Sequence, residues 1–376
     1  MSELSAPDEI PLVDLHAAHQ PLRAELVAAF ERVLDSGRFV SGDEVLAFEH
    51  MVAGYVGAAH AVAVSSGTAA LTLALMGAGI GAGDEVILPA NTFFATAEAV
   101  VAAGARPILA DVDPGSASID PASVASLVGP RTAGVVAVHL YGHPADVDAL
   151  QAVADGHSLF LLEDAAQAMG GTWHDRRVGS LGGAAAFSFF PTKLLGALGE
   201  GGAVTTDDAQ LAARIRLLRS HGEPLKNVHE LMAFNERLDE LQAAMLMIKL
   251  ARLEQDLERR RTVVDHYHAL LGTVDGIGML TPPVGGESVH HLMVVTVPDR
   301  DRVLADLHAM GIGAGVHYPT PIHLQPAWRP FGLGPGRGEL PHAETLAASV
   351  LSLPLYPEMT PDQVERCVTA LAKAAA

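Results

Sequence analysis

The sequence predicts an α/β protein: a large unit with a mostly parallel seven-stranded sheet between helices, and a smaller C-terminal α+β unit. Three observations predict it. Seven short apolar runs follow one another, at Ala61–Val64, Glu85–Leu88, Pro107–Val112, Gly134–His139, Ser158–Leu162, Ala184–Phe189 and Ala203–Thr206. Helix-like segments separate the first five, at Thr68–Met76, Thr96–Ala103, Pro121–Leu127 and Asp146–Ala154. Strands alternating with helices make a parallel sheet covered on both faces. The runs are continuously apolar rather than alternating, the pattern of strands buried on both sides.

Before the first run, residues 21–36 show helical apolar spacing, with Pro21 near the start and Gly37 just past the end. A second helix is expected over Asp43–Tyr55. After Asp207 the character changes. Leu211–Arg219 reads as helix, and the stretch to Phe234 as irregular. Leu238–Leu257 reads as one long amphipathic helix that continues with charged residues to about Leu271. The boundary between units is placed near Leu250–Leu253, giving residues 1–250 to the large unit and 251–376 to the small one. In the small unit His291–Val297 reads as strand, Arg300–Met310 as helix and Gly313–His317 as a short strand. A proline- and glycine-rich loop covers Pro319–Pro341. Ala343–Ser349 is expected to be helical, Leu351–Leu355 extended, and Pro361–Ala374 a closing helix.

Of the 376 residues 49% are hydrophobic and 18% charged, which allows a large buried core and excludes wholesale disorder. The formal net charge of −20 argues against a nucleic-acid backbone or an anionic membrane surface as the main partner. It leaves room for an anionic small molecule, because local N–H donors hold a phosphate inside an acidic protein. Cys367 is the single cysteine, so no internal disulfide is expected and a reducing cytoplasm fits. The opening MSELSAPDEIPLVDL lacks the basic-then-apolar order of a signal peptide, and no apolar stretch reads as a membrane span.

Chemistry concentrates between Glu163 and Gly202. Asp164 follows the run SLFLL, and Lys193 follows AAAFSFF and opens a segment with Gly196, Gly199, Gly201 and Gly202. The two are 29 positions apart (193 − 164), and each falls at or just beyond a strand's carboxyl end, where ligands bind in open α/β sheets. A carboxylate and a lysine so placed are what pyridoxal phosphate needs. The amine condenses with the aldehyde, and the carboxylate keeps the pyridine nitrogen protonated. Burial also lowers a lysine's pKa and makes it a better nucleophile.

Other residues suit the same ligand. Gln167 lies about one helical turn past Asp164, and Ala165, Ala166 and Ala168 let a ring approach. Ser188 is a hydroxyl in an apolar strand and needs a partner, backbone or phosphate. Ser65-Ser66-Gly67-Thr68 joins a strand to a helix and reads either as a plain N-cap or as a phosphate site. Phe93, after the strand EVIL, either stacks on a flat heterocycle or joins the core; Phe94 reads as core. Each residue alone has an ordinary structural explanation. Their order along the chain, at strand ends, favours one cofactor site. The loose GxGxxA match at Gly77–Ala82 follows a helix and precedes a strand, the wrong context for a dinucleotide. His139 and His143, His266 and His268, and His290 and His291 accompany no carboxylate or cysteine cluster, so no metal site is expected.

With these motifs in place, the chain resembles the DegT/DnrJ/StrS family of pyridoxal-phosphate-dependent sugar aminotransferases, a branch of the fold-type-I, aspartate-aminotransferase-like enzymes. The stretches that match are SSGTAAL from Ser65, NTFFATAEAV from Asn91, HLYGHPADVDAL from His139, EDAAQAMGG from Glu163, FSFFPTKLLGALGEGG from Phe187, FNERLDELQAAMLMIKL from Phe234 and HYPTPIHLQP from His317. The resemblance implies a role for each candidate. Lys193 is similar to the lysine that binds the cofactor and shuttles the substrate proton. Asp164 matches the pyridinium partner, and Gln167 the residue on the ring hydroxyl. Gly67, Thr68 and Ser188 match phosphate contacts, and Phe93 the stacking aromatic. Asn235 resembles an asparagine that reaches the phosphate of the neighbouring subunit's cofactor, which implies an obligate homodimer with shared active sites. Tyr318 and His323 match the loop bordering the sugar pocket, and His221 and Lys226 are candidate walls.

The implied activity moves an amino group from an amino acid, by analogy L-glutamate, to a keto-sugar nucleotide. A dTDP-linked 3-keto- or 4-keto-deoxysugar is expected, in amino-deoxysugar biosynthesis. An amino-cyclitol (inosose) aminotransferase is the nearest alternative. Members with histidine at the lysine position dehydrate the sugar, and Lys193 favours transamination. A regulatory or binding module without catalysis is a third possibility, against which the complete cofactor set argues. The motif RSHGEP from Arg219 departs from the family. Several members that aminate the third sugar carbon have an aromatic where His221 stands, so the carbon stays open.

Overall fold

The computed structural model describes residues 9–331 and 336–376. A short helix α1 (Leu15–His19) leads into α2 (Arg23–Ser36) and α3 (Asp43–Val56). The alternation then begins: β1 (His60–Val64), α4 (Gly67–Gly77), β2 (Glu85–Pro89), α5 (Ala95–Ala102), β3 (Arg106–Ala110) and α6 (Pro121–Leu127). It continues with β4 (Thr132–Val138), α7 (Val147–His157) and β5 (Phe160–Asp164). Two-residue strands β6 (Thr172–Trp173) and β7 (Arg176–Arg177) precede β8 (Ala184–Ser188), β9 (Gly202–Thr206) and α8 (Ala209–Leu218). The chain goes on through α9 (Glu240–Leu250), α10 (Leu253–Leu271), β10 (Gly278–Met279), β11 (Gly286–Glu287), β12 (Met293–Thr296) and α11 (Arg300–Ala309). It closes with α12 (Pro341–Ser349), β13 (Val350–Leu353) and α13 (Pro361–Ala375).

Seven strands form one sheet in the order β1-β9-β8-β5-β4-β2-β3. Only β9 runs against the others, pairing antiparallel with β1 and β8. The expected mostly parallel sheet is therefore present, and both of its faces are buried. Val62 and Val64 join a core with Leu73 of α4, Val100 of α5 and Ile215 of α8. Ala61 and Ala63 join another with Phe48 of α3, Leu150 of α7 and Leu246 of α9. Phe48 is fully buried, a burial that contributes on the order of 2 kcal/mol relative to exposure.

A three-stranded antiparallel sheet, β10-β12-β13, carries the smaller α+β part. Met293 and Val295 of β12 face a core with Tyr267 of α10, Leu307 of α11 and Leu371 of α13. Leu292 and Val294, on the other side, face the core of the large sheet. This alternation bonds the two parts. Ile10 also joins the smaller core, its N–H donating to the Gly311 carbonyl and its carbonyl accepting from the Gly313 N–H.

The structure departs from expectation at three places. β5 starts at Phe160, not Ser158, and reaches Asp164. Ser158 instead caps α7 in the left-handed region, at φ 55°, while Asp164 stays in the ladder by pairing with Val138 and Ala186. The helix expected across Leu238–Leu257 breaks at Ala251–Arg252. Its first half packs on α2 and α3 and its second on α13, so two cores pull the axis apart. Gly313–His317 forms no strand, because Gly313 bonds Ile10 while Gly315 bonds Ser352. Within the expected loop Pro319–Pro341, Ile322–Leu324 makes a 3-10 turn, and residues 332–335 lie outside the described residues. Among the described residues no helix is long and apolar enough to cross a membrane.

Where the two parts meet, the rings of His143, His290 and His268 touch edge to face, with centroids 5.7 and 5.9 Å apart. Burial lowers His143 to about 4 and His290 to about 3. In the unfolded chain both titrate near 6.5, so between that pH and the folded values the unfolded state binds more protons and stability is lost as the pH is lowered. His143 alone accounts for roughly 2 kcal/mol lost between pH 7.5 and pH 5. Urea unfolding at the two pH values measures this. The midpoint should drop, and should drop less in His143→Phe; equal drops in both proteins would refute the assignment.

Candidate active site

The carboxyl ends of β1, β2, β4, β5 and β8 open on one cavity of about 460 Å³, within the range of small-molecule sites. Gly67, Thr68, Phe93, Asp164, Gln167, Ser188, Lys193 and Tyr318, all singled out from the sequence, line it together.

The turn from β1 into α4 forms one end. Ser66 is the N-cap, its Oγ accepting from the Ala69 N–H at 3.1 Å. The first-turn N–H groups of the helix stand beside Ser188 at the end of β8. Gly67 is demanded by that closeness, since a Cβ there would lie 2.6 Å from the Ser188 Cβ. Helix N–H groups, the macrodipole and two hydroxyl side chains make a cradle for an anion.

Asp164 ends β5 and is buried. Its Oδ2 accepts from the Thr96 hydroxyl at 2.7 Å and its Oδ1 from the Ala166 N–H at 3.3 Å. Thr96 in turn lies 3.2 Å from the Thr92 hydroxyl. Burial pushes the Asp164 carboxyl up, against the pull of Thr96, Ala166 and Lys193. Burial likewise lowers Lys193, to about 8, with Asp164 opposing. Each charge offsets part of the other's desolvation.

Gln167 joins the two parts of the molecule. Its Oε1 accepts from the Tyr141 N–H at 2.7 Å, and its Nε2 donates to the Tyr318 hydroxyl at 3.2 Å. Phe93 is 56% exposed, so it belongs to the cavity and not to the core. Its ring lies 5.5 Å from that of Tyr318, tilted by 40°. Phe94 packs against the core, as expected.

Four candidates are not brought into this cavity. His323 is corrected as a pocket residue: its ring is buried, with Nε2 3.2 Å from the Glu344 carboxylate of α12. His221, Lys226 and Asn235 lie exposed on the stretch between α8 and α9. The flanks of that stretch pair with each other, through the His221 N–H to the Phe234 carbonyl and a bridge between Ser220 and Asn235.

Thr96, His139, His291 and His317 also line the cavity, and the sequence gives them no role in it. The Thr92/Thr96 pair, four apart at a strand-to-helix turn, was a usable signal. In the sequence His139 and His291 suggest only metal ligation, and His317 only opens a matching stretch. His139 Nδ1 accepts from the Ala145 N–H at 3.0 Å, so the ring proton sits on Nε2, 3.1 Å from Glu163 Oε2. Burial works to raise Glu163, but His139 and the N–H groups of Gly179 and Gly182 outweigh it and hold the carboxyl below its usual range. Burial, with Lys193 nearby, drives His291 well below its ordinary value and His317 to about 4. That wall therefore carries neutral imidazoles. Among the described residues no group of three or more histidine, cysteine or carboxylate side chains could hold a metal ion.

An N–H cradle, a desolvated lysine and a buried carboxyl at one cavity fit the phosphate, aldehyde and pyridine nitrogen of pyridoxal phosphate. Together with the mostly parallel sheet they define a pyridoxal-phosphate-dependent transferase. The model of the DegT/DnrJ/EryC1/StrS aminotransferase family matches residues 20–372, and the chain belongs to this family of sugar aminotransferases. It is 47% identical over 363 residues to the erythromycin biosynthesis sensory transduction protein EryC1 of Saccharopolyspora erythraea, covering 96% of this chain and 99% of that one. It is 45% identical over 371 residues to the dTDP-3-amino-3,4,6-trideoxy-alpha-D-glucose transaminase of Streptomyces venezuelae, covering 99% and 97%. The crystal structure of S. venezuelae DesV superposes with a TM-score of 0.95 at 46% identity, covering 98% of each chain.

Thr96→Val keeps the side-chain shape and removes the donor to Asp164. A hydrogen bond to a charged group contributes about 1.5 kcal/mol, so pyridoxal phosphate should bind about tenfold more weakly. Absorbance titration of the cofactor-free variant reads this directly, and wild-type affinity would speak against the Thr96–Asp164 bond as a support of the site.

Proposed function

We propose that this enzyme transfers an amino group from L-glutamate to the keto carbon of a dTDP-linked deoxysugar. The observation that carries the proposal is that Lys193 and the buried Asp164 meet in one cavity with the α4 cradle. The name of the S. venezuelae relative supports the third sugar carbon as the aminated one. His221 is exposed and outside the cavity of its own chain, so its departure from the family pattern gives no reason to prefer the fourth.

The bound cofactor supplies an electrophilic aldehyde and a ring that stores the electron pair released at the substrate carbon. Lys193 holds it through its amine. Asp164 keeps the pyridine nitrogen protonated, Gln167 faces the ring hydroxyl, and Phe93 covers the ring. Gly67, Thr68 and Ser188 hold the phosphate. With a pKa of about 8, Lys193 keeps a neutral fraction near neutral pH, and that amine takes the proton from the donor Cα. In the return half it gives a proton to the former keto carbon of the sugar. Tyr318 borders the sugar. Lysine at position 193 disfavours the dehydratase reading, and the complete set of candidate cofactor residues at one cavity disfavours a purely regulatory one.

We further infer a homodimer with shared sites, working in the cytoplasm. Lys193 is the only lysine or arginine among the described residues lining the cavity, whereas Asp164 and Glu200 both line it. Cations for a nucleotide's phosphates must come from elsewhere, and Lys226 and Asn235 stand exposed on the stretch between α8 and α9. That stretch also exposes Leu225, Val228 and Met232, the last at 96%. The large unit is taken as residues 1–250 and the small one as 251–376, divided at the break between α9 and α10.

Enzyme saturated with pyridoxal phosphate should show a visible band that Lys193→Ala abolishes. Glutamate should bleach the band, and a dTDP-linked 3-keto-deoxysugar should restore it. Restoration by an inosose alone would move the acceptor to the cyclitols, and no response to glutamate would remove the transaminase reading. For the shared site, Lys193→Ala and Asn235→Ala chains are each expected to be nearly inactive. Mixed and allowed to exchange, they should recover about a quarter of wild-type activity, because each hybrid dimer holds one intact site. Hybrids confirmed by mass yet inactive would rule out the exchange of Asn235 between sites.

A further inference from the structure

Lys249 of α9 stands on the far side of the loop that carries Lys193. Its Nζ donates to the Gly196 carbonyl and lies 3.1 Å from His19 Nε2. The His19 ring is itself shifted toward neutrality, first by burial and then by this ammonium, so Nε2 accepts. Burial lowers Lys249 to about 8, with Asp256 as its opposing charge. Asp256 makes no salt bridge to it; the carboxylate's ion-pair contact is with Arg259. An ammonium held half-buried against a carbonyl and an imidazole, with no carboxylate among the described residues in contact, is an unusual arrangement for a purely structural lysine.

The loop it grips is wound tightly. Lys193 N–H donates to the Phe190 carbonyl at 2.8 Å, and Ala197 N–H to the Phe189 carbonyl at 2.7 Å. Gly196 sits at the closest point, where a Cβ would lie 2.2 Å from the Pro191 carbonyl oxygen. On the same helix, Gln242 Oε1 accepts from the Leu198 N–H at 2.9 Å. Phe189, Leu195 and Ala197 anchor the loop in the core from within. The Gly196 carbonyl needs an outside donor, and α9 supplies it.

We propose that Lys249 is a positioning residue for Lys193: it fixes the loop from behind so that the Lys193 amine meets the cofactor aldehyde. The proposal rests on Lys193 as the attachment residue. Its effect falls on covalent attachment, while the cradle that holds the phosphate, built from α4 and β8, is left intact.

The experiment compares wild type, Lys249→Met, Lys249→Gln and Lys249→Arg, each saturated with pyridoxal phosphate and reduced with borohydride. Peptide mapping of the wild type comes first; a label on another residue would overturn the reading of Lys193, not of Lys249. With the label on Lys193, the visible band should form about tenfold more slowly in Lys249→Met, and the attached fraction should fall. Lys249→Gln should be intermediate, and Lys249→Arg, which keeps a charged donor, should recover most of the rate. Pyridoxine phosphate, which has no aldehyde, should bind all four proteins alike. Unchanged attachment kinetics in both Lys249→Met and Lys249→Gln would overturn the proposal. So would a parallel loss of pyridoxine phosphate affinity, which would mark Lys249 as a support of the whole cavity. If Lys249→Met fails to fold, the Gln and Arg proteins carry the same comparison.

Discussion

The register of β5 between β4 and β8 is the constraint on which the site depends. Glu163 and Asp164 are consecutive, so they point to opposite faces of the sheet. Asp164 pairs with Val138 on one side and Ala186 on the other, and its carboxyl opens on the cavity. Glu163 takes the other face. Its oxygens accept from the N–H groups of Gly179, Leu181 and Gly182 and meet the His139 ring. One carboxylate is thereby saturated by the protein and the other is left for a ligand. The directions of their pKa shifts differ accordingly, Glu163 down and Asp164 up. A slip of one residue would exchange the two, leaving a buried turn without its acceptor and the cavity without its free carboxyl.

The second part of the molecule closes the cavity by bonding to the same edge. Tyr141 follows β4 in the left-handed region, at φ 62°, which places its N–H on Gln167 and its hydroxyl on the His317 carbonyl. Gln167 then reaches Tyr318. A residue three positions past Asp164 thus ties the strand end to the wall opposite it. The amide satisfies both partners with one oxygen and one NH₂ group, which fixes its orientation without reference to any ligand. A group on the cofactor ring would meet a side chain already held in place, so little rotamer freedom remains to be lost on binding.

Most of this was legible in the sequence, for identifiable reasons. Doubly buried strands write themselves as continuous apolar runs, and all seven were readable. The residues proposed to hold the cofactor sit at strand ends and so inherit the order of the strands. What escaped depends on contacts distant along the chain. β6 pairs with β11, over a hundred residues away, and each is two residues long. The break at Ala251–Arg252 has no proline or glycine to announce it; it arises because α9 and α10 answer to different cores. His323 lies in a matching motif, yet Glu344 draws its ring away from the cavity, and nothing in the spacing of the two residues shows that. The Thr96 bond to Asp164 crosses 68 positions.

The distribution of cations explains how so acidic a chain handles phosphate. Two carboxylates near the sheet each engage two arginines. Glu49, buried, takes Arg216 and Arg219, and Glu85 takes Arg106 and Arg131. Arg219 is notable because it lies at the root of the exposed stretch that carries Lys226, and Glu49 and the Ala63 carbonyl hold it in place. Within the cavity, then, an anion finds helix N–H groups, hydroxyls, neutral imidazoles and, among the described residues, one lysine, which is proposed to engage the aldehyde. Oriented N–H dipoles act over a few ångströms, whereas the net charge of −20 is screened over a Debye length of about 8 Å at physiological salt. Such a site accepts a phosphate that fits the cradle and offers little to a free anion drifting past. The further negative charge of a nucleotide, were one bound, would meet no second lysine or arginine among the described residues lining the cavity, and that shortage is what supports the proposed contribution of the exposed stretch of a second subunit.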